Sequence, residues 1–570
     1  MPCGHGRGCP LGVDVPAMVS AVRQRDVARA HQIARGPNPF ASSCGRGCHA
    51  PCETACRRRH AGSPVAIAEL EAYAATSAAP DQLAAPGPCT SAHDLRSVAG
   101  LVGRGGDVST PAPRSGKRVA IIGAGVTGLA CAHDLALLGH DCAIFDASEE
   151  PGGVLTTAVP DFRFPVASIR AECAAILARG ATYHRRTRIE RSDGVRALLR
   201  EGFDAVFIAI GASDARGPVV EQQSRHPAVV DAMDVLRTSD ASPAGSVVVV
   251  GDGDLALDAA RTLVRRATPS AKPGGTPAQH ATVHLVHASE LEDSPFDHQL
   301  LAAALVEGVE LHHGWRPRRL LLEDDGSTVP GIEVTRDGGE ITKVIPCDQL
   351  VVAATRVPAA HALDELLACT PAGLIAVDVE TLRTSIPNVW AGGACALGHR
   401  SIAHAVADGK RAAWQMHAAL TGVQIRVQLA SAWVEVNDRD RTLTQRALAT
   451  PRAAPERPGV SERHGAGTPT AAYADEMLRQ ATRCYDCTVL PVVDDSCTRC
   501  GACVTACPVG AFTLIPDAGE HAELRFDQEP CTRCGICVEH CPEGAIAMVR
   551  AVWEERLVAE RVTRSRRRAV

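Results

Sequence analysis

From Lys117 onward the chain alternates apolar runs, glycine turns and longer amphipathic stretches. Val119-Ala-Ile-Ile122 is a short continuous apolar run, as expected of a strand buried on both faces. Glycines follow, then an Ala/Leu-rich stretch with helical spacing, then a second apolar run over Cys142–Asp146. This succession predicts a strand–turn–helix–strand unit. It recurs at Ser246–Ala267, where Val247-Val-Val-Val250 leads through a glycine turn into a helix, followed by the strand Thr282–His287. Two dinucleotide-type units on one chain imply two nucleotide sites.

The flanks differ. Helical patterns with clustered cysteines occupy the first 80 residues, and Ala79–Ser115 is rich in Pro, Gly, Ala and Ser. Near the C-terminus stand Cys497-x2-Cys500-x2-Cys503-x3-Cys507-Pro508 and Cys531-x2-Cys534-x2-Cys537-x3-Cys541-Pro542. Three thiolates at this spacing wrap one cubane, and the fourth cysteine of each run ligates the other cluster. The tandem predicts two [4Fe–4S] clusters, which move single electrons; zinc is the competing reading of the same thiolates.

In the first turn, Gly123-Ala-Gly125-Val-Thr-Gly128 follows a strand and opens a helix. Gly123 permits the tight turn, Gly125 lets the backbone approach a pyrophosphate, and Gly128 allows close helix packing. Asp146 ends the next strand, where a carboxylate accepts from ribose hydroxyls.

Gly123–Asp146, Pro151-Gly-Gly153, Val159-Pro-Asp-Phe-Arg-Phe-Pro165, Phe203–Ala212 with Gly211, Thr384–Gly393 with Gly392 and Gly393, and Ile402–Gly409 together resemble the FAD module of the glutamate synthase small-subunit family. Dihydropyrimidine dehydrogenase and NADH-dependent ferredoxin:NADP oxidoreductases carry the same module. The resemblance implies FAD in the first site and a nicotinamide dinucleotide, NADH or NADPH, in the second. It also implies a multidomain α/β architecture. A helical iron–sulfur domain (1–80) and a linker (81–116) precede an FAD domain in two parts (117–235 and 356–425). An NAD(P)-binding-like Rossmann domain (236–355) lies between those parts. A linker (426–480), an α+β two-cluster ferredoxin-like domain (481–550) and a tail (551–570) complete the chain.

Two departures matter. The family has Asp after the Gly-Gly pair; here Ala394 and Cys395 follow. The lost charge-assisted hydrogen bond weakens flavin binding by about 1.5–3 kcal/mol. The second turn reads Gly251-Asp252-Gly253-Asp254-Leu255-Ala256, keeping the Gly251, Gly253, Ala256 frame. At about 6 Å and an effective dielectric of about 20, each aspartate facing a pyrophosphate charge costs roughly 2–3 kcal/mol. The family's Arg pair for a 2′-phosphate is absent, the strand ending His287-Ala-Ser-Glu290, which favours NADH over NADPH. A second site that is purely structural is the alternative.

Cys44-x3-Cys48-x3-Cys52-x3-Cys56, with Cys9-Pro10 upstream, resembles the cluster-binding helical domain of these flavoproteins. The resemblance implies a [4Fe–4S] cluster on Cys9, Cys48, Cys52 and Cys56, with Cys44 spare. The family's second N-terminal cluster begins with an Arg-Cys-x2-Cys pair. Here that pair stands at Arg483-Cys484-x2-Cys487, displaced to the C-terminal side. The expectation is a cluster on Cys484, Cys487 and Cys3, with Glu71 or Cys44 as fourth ligand; a redox-inert pair is the alternative.

Composition narrows the rest. A chain of 570 residues needs several cores. The net charge of −6 argues against nucleic acid, and the run Arg564, Arg566, Arg567, Arg568 reads as a solvated tail. The 23 cysteines in short groups need a reducing compartment, and no membrane-length apolar run or signal pattern is evident, so the cytoplasm is expected. Cys131, Cys142, Cys173, Cys347 and Cys369 read as buried packing residues, and His298, His312 and His313 lack a metal-spacing partner. A flavin accepts a hydride pair and releases it singly, so an NAD(P)H-dependent iron–sulfur flavoprotein oxidoreductase is expected, with no acid–base side chain required. Its partner would be a redox protein, a ferredoxin or a larger catalytic subunit. An electron-transfer and docking subunit without a working nicotinamide site is the second reading.

Overall fold

The computed structural model describes residues 8–77, 113–435 and 471–561, apart from 190, 213, 216–225, 239–244, 268–281, 291–295, 297, 324–327, 355, 359–366, 399–400, 488 and 516–521. Cys3, most of the 81–116 linker and residues 436–470 therefore lie outside the described residues.

The N-terminal region is helical: α1 (Val15–Arg23), α2 (Val27–Arg35), α3 (Ala41–Gly47), α4 (Pro51–Thr54) and α5 (Ile67–Ser77). Asp14 and Asp26 cap α1 and α2, accepting from the Ala17 and Arg29 amides at 3.1 and 2.9 Å. Their apolar faces bury Met18, Ile33, Phe40 and Leu70 in one core, which runs on into the first nucleotide domain.

Strands β1 (Arg118–Ile122), β2 (Asp141–Phe145), β3 (Thr182–His184) and β4 (Ala205–Ile208) belong to the first sheet. After the two-residue β5 (Asp214–Ala215), β6 (Val229–Asp231), β7 (Val247–Val250), β8 (Val283–His287) and β9 (Glu310–His313) belong to the second. A meander follows of β10 (Arg316–Leu321), β11 (Gly331–Arg336) and β12 (Ile341–Ile345). The chain then returns through β13 (Gln349–Val352), β14 (Arg356–Val357) and β15 (Val389–Ala391). The first sheet has the order β15-β4-β1-β2-β3 and the second β6-β13-β7-β8-β9, each wholly parallel. The all-apolar runs Val119–Ile122 and Val247–Val250 are central strands buried on both faces, which is why they do not alternate.

Helix α6 (Val126–Leu137) leaves the first turn and α7 (Asp254–Ala267) the second. The long α8 (Ile402–Thr421) lies along α6. Gly409 makes that approach possible, since a Cβ there would stand 2.2 Å from the Thr127 carbonyl oxygen.

The chain next forms β16 (Val423–Glu435), and α9 (Ala471–Thr482) precedes β17 (Val489–Val493), β18 (Phe512–Ile515), β19 (Glu523–Phe526) and β20 (Ile546–Arg561). β16 pairs antiparallel with β20 over its whole length, and β17 pairs with the other side of β20. The ends of the expected 426–480 linker thus form a strand and a helix, and the expected tail begins as a strand. Val423–Leu429 alternates apolar and polar residues as a strand does, but its pairing partner is more than a hundred residues away, so the ladder has no local signature.

Candidate functional site

The first glycine turn opens onto a cavity of about 480 Å3, within the range of cofactor pockets. Gly123, Gly125, Asp146, Gly153, Gly211, Gly392 and Gly393 all line it. Gly128 lies beneath the turn rather than in the wall: a Cβ there would meet the Gly123 carbonyl oxygen at 2.0 Å. A Cβ on Gly125 would meet nothing within 4 Å, so this backbone is bared for a close ligand. Asp146 turns back to the loop, accepting from the Ala124 amide at 2.6 Å and the Ser148 amide at 2.7 Å, which leaves further acceptor capacity on the carboxylate. Ala394 lines the wall where the family has Asp. An elongated glycine-walled cavity beside an N-terminal helix turn fits FAD. Thr157, Arg237, Ser401 and Asp408 also line it. They come from three segments, Ser401 and Asp408 both standing at the start of α8, and their convergence only the fold reveals.

The second turn has the same backbone. A Cβ on Gly251 would stand 2.6 Å from the Ala353 carbonyl oxygen, Ala256 packs beneath it, and a Cβ on Gly253 would meet nothing. The side chains differ. Asp252 accepts from His287 Nδ1 at 2.9 Å and the Ala288 amide at 3.1 Å. Asp254, in the first turn of α7, pairs with Arg163 Nη2 at 2.8 Å and His49 Nε2 at 3.5 Å. Arg163 Nη1 also meets Asp258 at 2.5 Å. Arg163 belongs to the first nucleotide domain and His49 to the helical domain, so three domains meet at this turn. Burial alone would raise the Asp254 carboxyl, but the His49 hydrogen bond and the Arg163 charge bring it down to about 2. Asp258 goes the other way: burial outweighs the same guanidinium, and its Oδ1 is buried without a hydrogen-bond partner. Asp254 is therefore matched by a cation of the protein itself, Arg163, and Asp252 by the hydrogen-bond donors His287 and the Ala288 amide. Glu290 accepts from His313 Nδ1 at 3.0 Å and pairs with Arg336, a cation the local sequence around β8 did not reveal.

In the helical domain Cys9, Cys52 and Cys56 are buried and Cys48 partly so. Burial pushes the Cys9 thiol to about 12, and the Glu71 carboxylate adds to that rise. Glu71 likewise bears on Cys44, Cys48 and Cys52. It is half-buried, accepts from Asn38 Nδ2 at 3.0 Å, and is itself raised to about 7, chiefly by desolvation. Cys44 donates to Asn38 Oδ1 at 3.8 Å. The structure thus groups Glu71 with Cys9, Cys48 and Cys52.

Helix α9 carries the Arg483-Cys484 pair onto this domain, packing against α1 and α5. Arg483 donates to the Pro64 and Ser63 carbonyls at 2.9 and 2.6 Å, and Gln480 Oε1 accepts from the Ala66 amide at 3.4 Å. Tyr473 packs edge-on against Tyr73. Cys484, raised by burial to about 12, lies close enough to Cys56 for their charges to interact. The sequence reading sets Cys56 with Cys9, Cys48 and Cys52, and its nearness to Cys484 offers a second assignment.

The C-terminal runs fold as a repeat. Arg499 and Arg533 have φ of 58° and 62°, and Gly501 and Gly535 both 79°, so each run makes the same left-handed turn. One small cavity is lined by Cys497, Cys500, Cys503 and, from the other run, Cys541. Cys507 in turn influences Cys531 and Cys537. This exchange of fourth cysteines is the arrangement two cubanes need. Arg57, next to Cys56, donates to the Gln528 carbonyl at 2.7 Å and joins the two iron–sulfur regions.

Elsewhere Cys131, Cys142, Cys173 and Cys347 are buried as expected, but Cys369 is exposed. Leu367 packs inward, but Ala368 and Cys369 are exposed, and the thiol donates to the Leu367 carbonyl at 3.6 Å. The His298 side chain lies outside the described residues. Among the described residues no helix is long and apolar enough to cross a membrane.

Comparison with known proteins agrees with this geometry. Residues 117–409 match the family described as pyridine nucleotide-disulphide oxidoreductase. Residues 2–83 match dihydropyrimidine dehydrogenase domain II, 4Fe-4S cluster, and residues 496–545 match the 4Fe-4S dicluster domain. The chain is 32% identical to the NADP(+)-dependent formate dehydrogenase subunit beta of Moorella thermoacetica, over 71% of this chain and 58% of that protein. It is 30% identical to the NADPH-Fe(3+) oxidoreductase subunit beta of Geobacter sulfurreducens, over 58% and 45%. It is 26% identical to the NAD-dependent dihydropyrimidine dehydrogenase subunit PreT of Salmonella typhimurium, over 73% and 90%. The chain thus spans about half the length of the first two relatives. These matches imply FAD, a nicotinamide dinucleotide and [4Fe–4S] clusters at both ends. The first family's match covers just over half of the residues and contains both glycine turns, so the chain belongs to the pyridine nucleotide-disulphide oxidoreductases, flanked by iron–sulfur modules.

Proposed function

We propose that this protein is an iron–sulfur flavoprotein oxidoreductase that moves electrons between a nicotinamide dinucleotide and a partner protein. The carrying observation is the order in which the ligand sets stand. Cys48 lies near Ser401, and Ser401 lines the first cavity. Cys56, on the same cysteine run, lies near Cys484. Arg57 then reaches the loop that leads into Cys531. The series runs from the cavity, through two N-terminal sets, to the paired C-terminal sets.

Cys9, Cys48, Cys52 and Glu71 would hold one N-terminal cluster. Cys56, Cys484 and Cys487 would hold the other, with Cys3 the candidate for the remaining place. Cys497, Cys500, Cys503 with Cys541, and Cys531, Cys534, Cys537 with Cys507, would hold the C-terminal pair. When bound, the flavin would exchange hydride pairs and the clusters single electrons. The chain's own residues bare the turn at Gly125, exclude water from the helical core and fix the thiolates by burial. NADH is favoured over NADPH because the segment after β8, His287 to Glu290, carries no arginine pair for a 2′-phosphate, and the nearby Arg336 is already engaged by Glu290. The partner is a ferredoxin or a larger catalytic subunit, in keeping with relatives that are named as subunits. A reducing, cytoplasmic setting suits a chain in which every described cysteine is free.

Anaerobic addition of NADH or NADPH to protein replete in FAD and iron tests this. NADH is expected to bleach the flavin faster than NADPH. Bleaching by neither would end the nicotinamide reading. Cys484→Ser is expected to lower iron by about four atoms per chain, one cubane's worth; unchanged iron would remove the second N-terminal set.

A further inference from the structure

The parallel ladder of β8 and β9 sets His284 directly opposite Glu310, and His312 two residues further along β9. Residues two apart on a strand share a face, so Glu310 and His312 project together toward His284. His284 Nδ1 lies 3.1 Å from Glu310 Oε2 and 3.2 Å from His312 Nε2. His284, Glu310 and His312 each turn one ligand atom inward, and these atoms all lie within 4.8 Å of one another. β9 is the edge strand of its sheet, and the Glu310 side chain is 59% exposed, so the vertex is open to solvent. No metal-spacing signal exists in the sequence because these side chains come from two strands; His312 is hydrogen-bonded on both ring nitrogens.

The contacts cannot all be satisfied by protons. Lys343 on β12 stands 3.1 Å from His312 Nδ1. With Lys343 charged, that nitrogen must accept, so the His312 proton sits on Nε2. With Glu310 ionised, His284 Nδ1 must carry a proton to donate. Two N–H groups then point at each other across 3.2 Å. Any other placement sets a lone pair against the carboxylate or an N–H against the ammonium. A cation at the vertex removes the conflict, taking one lone pair from each ring and one carboxylate oxygen. Lys343 is then the competitor, and it has somewhere to go, since its ammonium already lies 5.6 Å from the Trp315 ring centroid.

We propose that His284, Glu310 and His312 form a divalent metal site, of the two-histidine, one-carboxylate type that suits Zn2+, with a coordination place left for water or a ligand. It stands on the edge of the second nucleotide domain, outside both glycine turns and all the cysteine sets.

The test uses full-length, cluster-loaded protein under anaerobic conditions, equilibrated with Zn2+ and desalted. Zinc, iron and flavin are measured together, with zinc-edge X-ray absorption to read the ligands. Wild-type protein is expected to retain about one zinc with a nitrogen and oxygen shell. His284→Ala/His312→Ala and, separately, the exposed Glu310→Gln should lose or weaken it, with iron and flavin unchanged as the check on folding. Lys343→Met, which removes the competing charge, should bind zinc roughly tenfold more tightly. Equal zinc in wild type and the double variant, or a shell of sulfur alone, would overturn the proposal.

Discussion

The two nucleotide units share a backbone and differ in what stands against it. In each, a central strand runs into a glycine pressed against a neighbouring carbonyl, at 2.3 Å for Gly123 and 2.6 Å for Gly251, measured to the Cβ each lacks. In each, the second glycine is bare. The first turn opens onto a cavity and keeps the Asp146 carboxylate folded onto backbone amides. The second carries Asp252 and Asp254, held by His287, Arg163 and His49. A glycine pattern reports the shape available to a pyrophosphate. Whether the charge there is favourable depends on side chains from other domains.

The strongest way to break this comparison is to fill each bare glycine. Gly125→Val adds bulk only on the ligand side, so the protein is expected to fold and keep its iron but to bind FAD up to roughly a hundredfold more weakly, in line with the cost of overpacking. Gly253→Val should keep FAD and iron and lose the response to NADH. Flavin content and the KM for NADH read the two effects. An unchanged KM in Gly253→Val would show that the second turn is not where the phosphates lie, and the parallel would fail.

The next effect concerns the clamp across the domains. Arg163→Ala strands Asp254 and the buried Asp258, and breaking a buried pair by removing one partner typically destabilises by about 3–5 kcal/mol. In a chain of several domains this is better seen locally than as one melting temperature. Amide exchange in the first turn of α7 is expected to rise by at least tenfold, while the first sheet stays protected. Pairing Arg163→Ala with Asp258→Asn should restore part of that protection. Exchange in α7 that does not change would mean that the two domains are held by other contacts.

Arg163 also marks what the sequence could and could not convey. The strands, both glycine turns and the tandem cysteine runs were legible, because a continuous apolar run, a turn glycine and a C-x2-C spacing are local consequences of local physics. The displaced Arg483-Cys484 pair was legible through resemblance, and α9 does bring it to the helical domain. The nearness of Glu71 to Cys9, Cys48 and Cys52, that of Cys56 to Cys484, and the Arg163–Asp254–Asp258 clamp were not. Each depends on the direction a side chain takes after distant segments pack. Arg163 looked like one letter of a loop motif, 91 residues from the aspartate it meets. The β16–β20 ladder escaped for the same reason: Val423–Leu429 does alternate, but the strand it pairs with lies more than a hundred residues away.

The smallest effect sharpens the comparison most, because it asks how far the clamp neutralises the second turn. An unscreened aspartate beside a pyrophosphate charge would cost roughly 2–3 kcal/mol at about 6 Å and a dielectric of about 20. Arg163 and His49 already face Asp254 at 2.8 and 3.5 Å, so most of that repulsion is offset. About 1 kcal/mol should remain, which is roughly fivefold in affinity. Asp254→Asn keeps the shape and a hydrogen-bonding oxygen for Arg163 and removes the charge. It is expected to lower the KM for NADH by about fivefold at low ionic strength, and the gain should shrink toward nothing near 1 M salt, where the screening length falls to about 3 Å. FAD content should not move, because the first turn has no part in this charge. A gain that persists at high salt would point to shape rather than charge. A loss of affinity would mean that Asp254 serves the nucleotide by holding Arg163 in place, making the guanidinium the true phosphate partner.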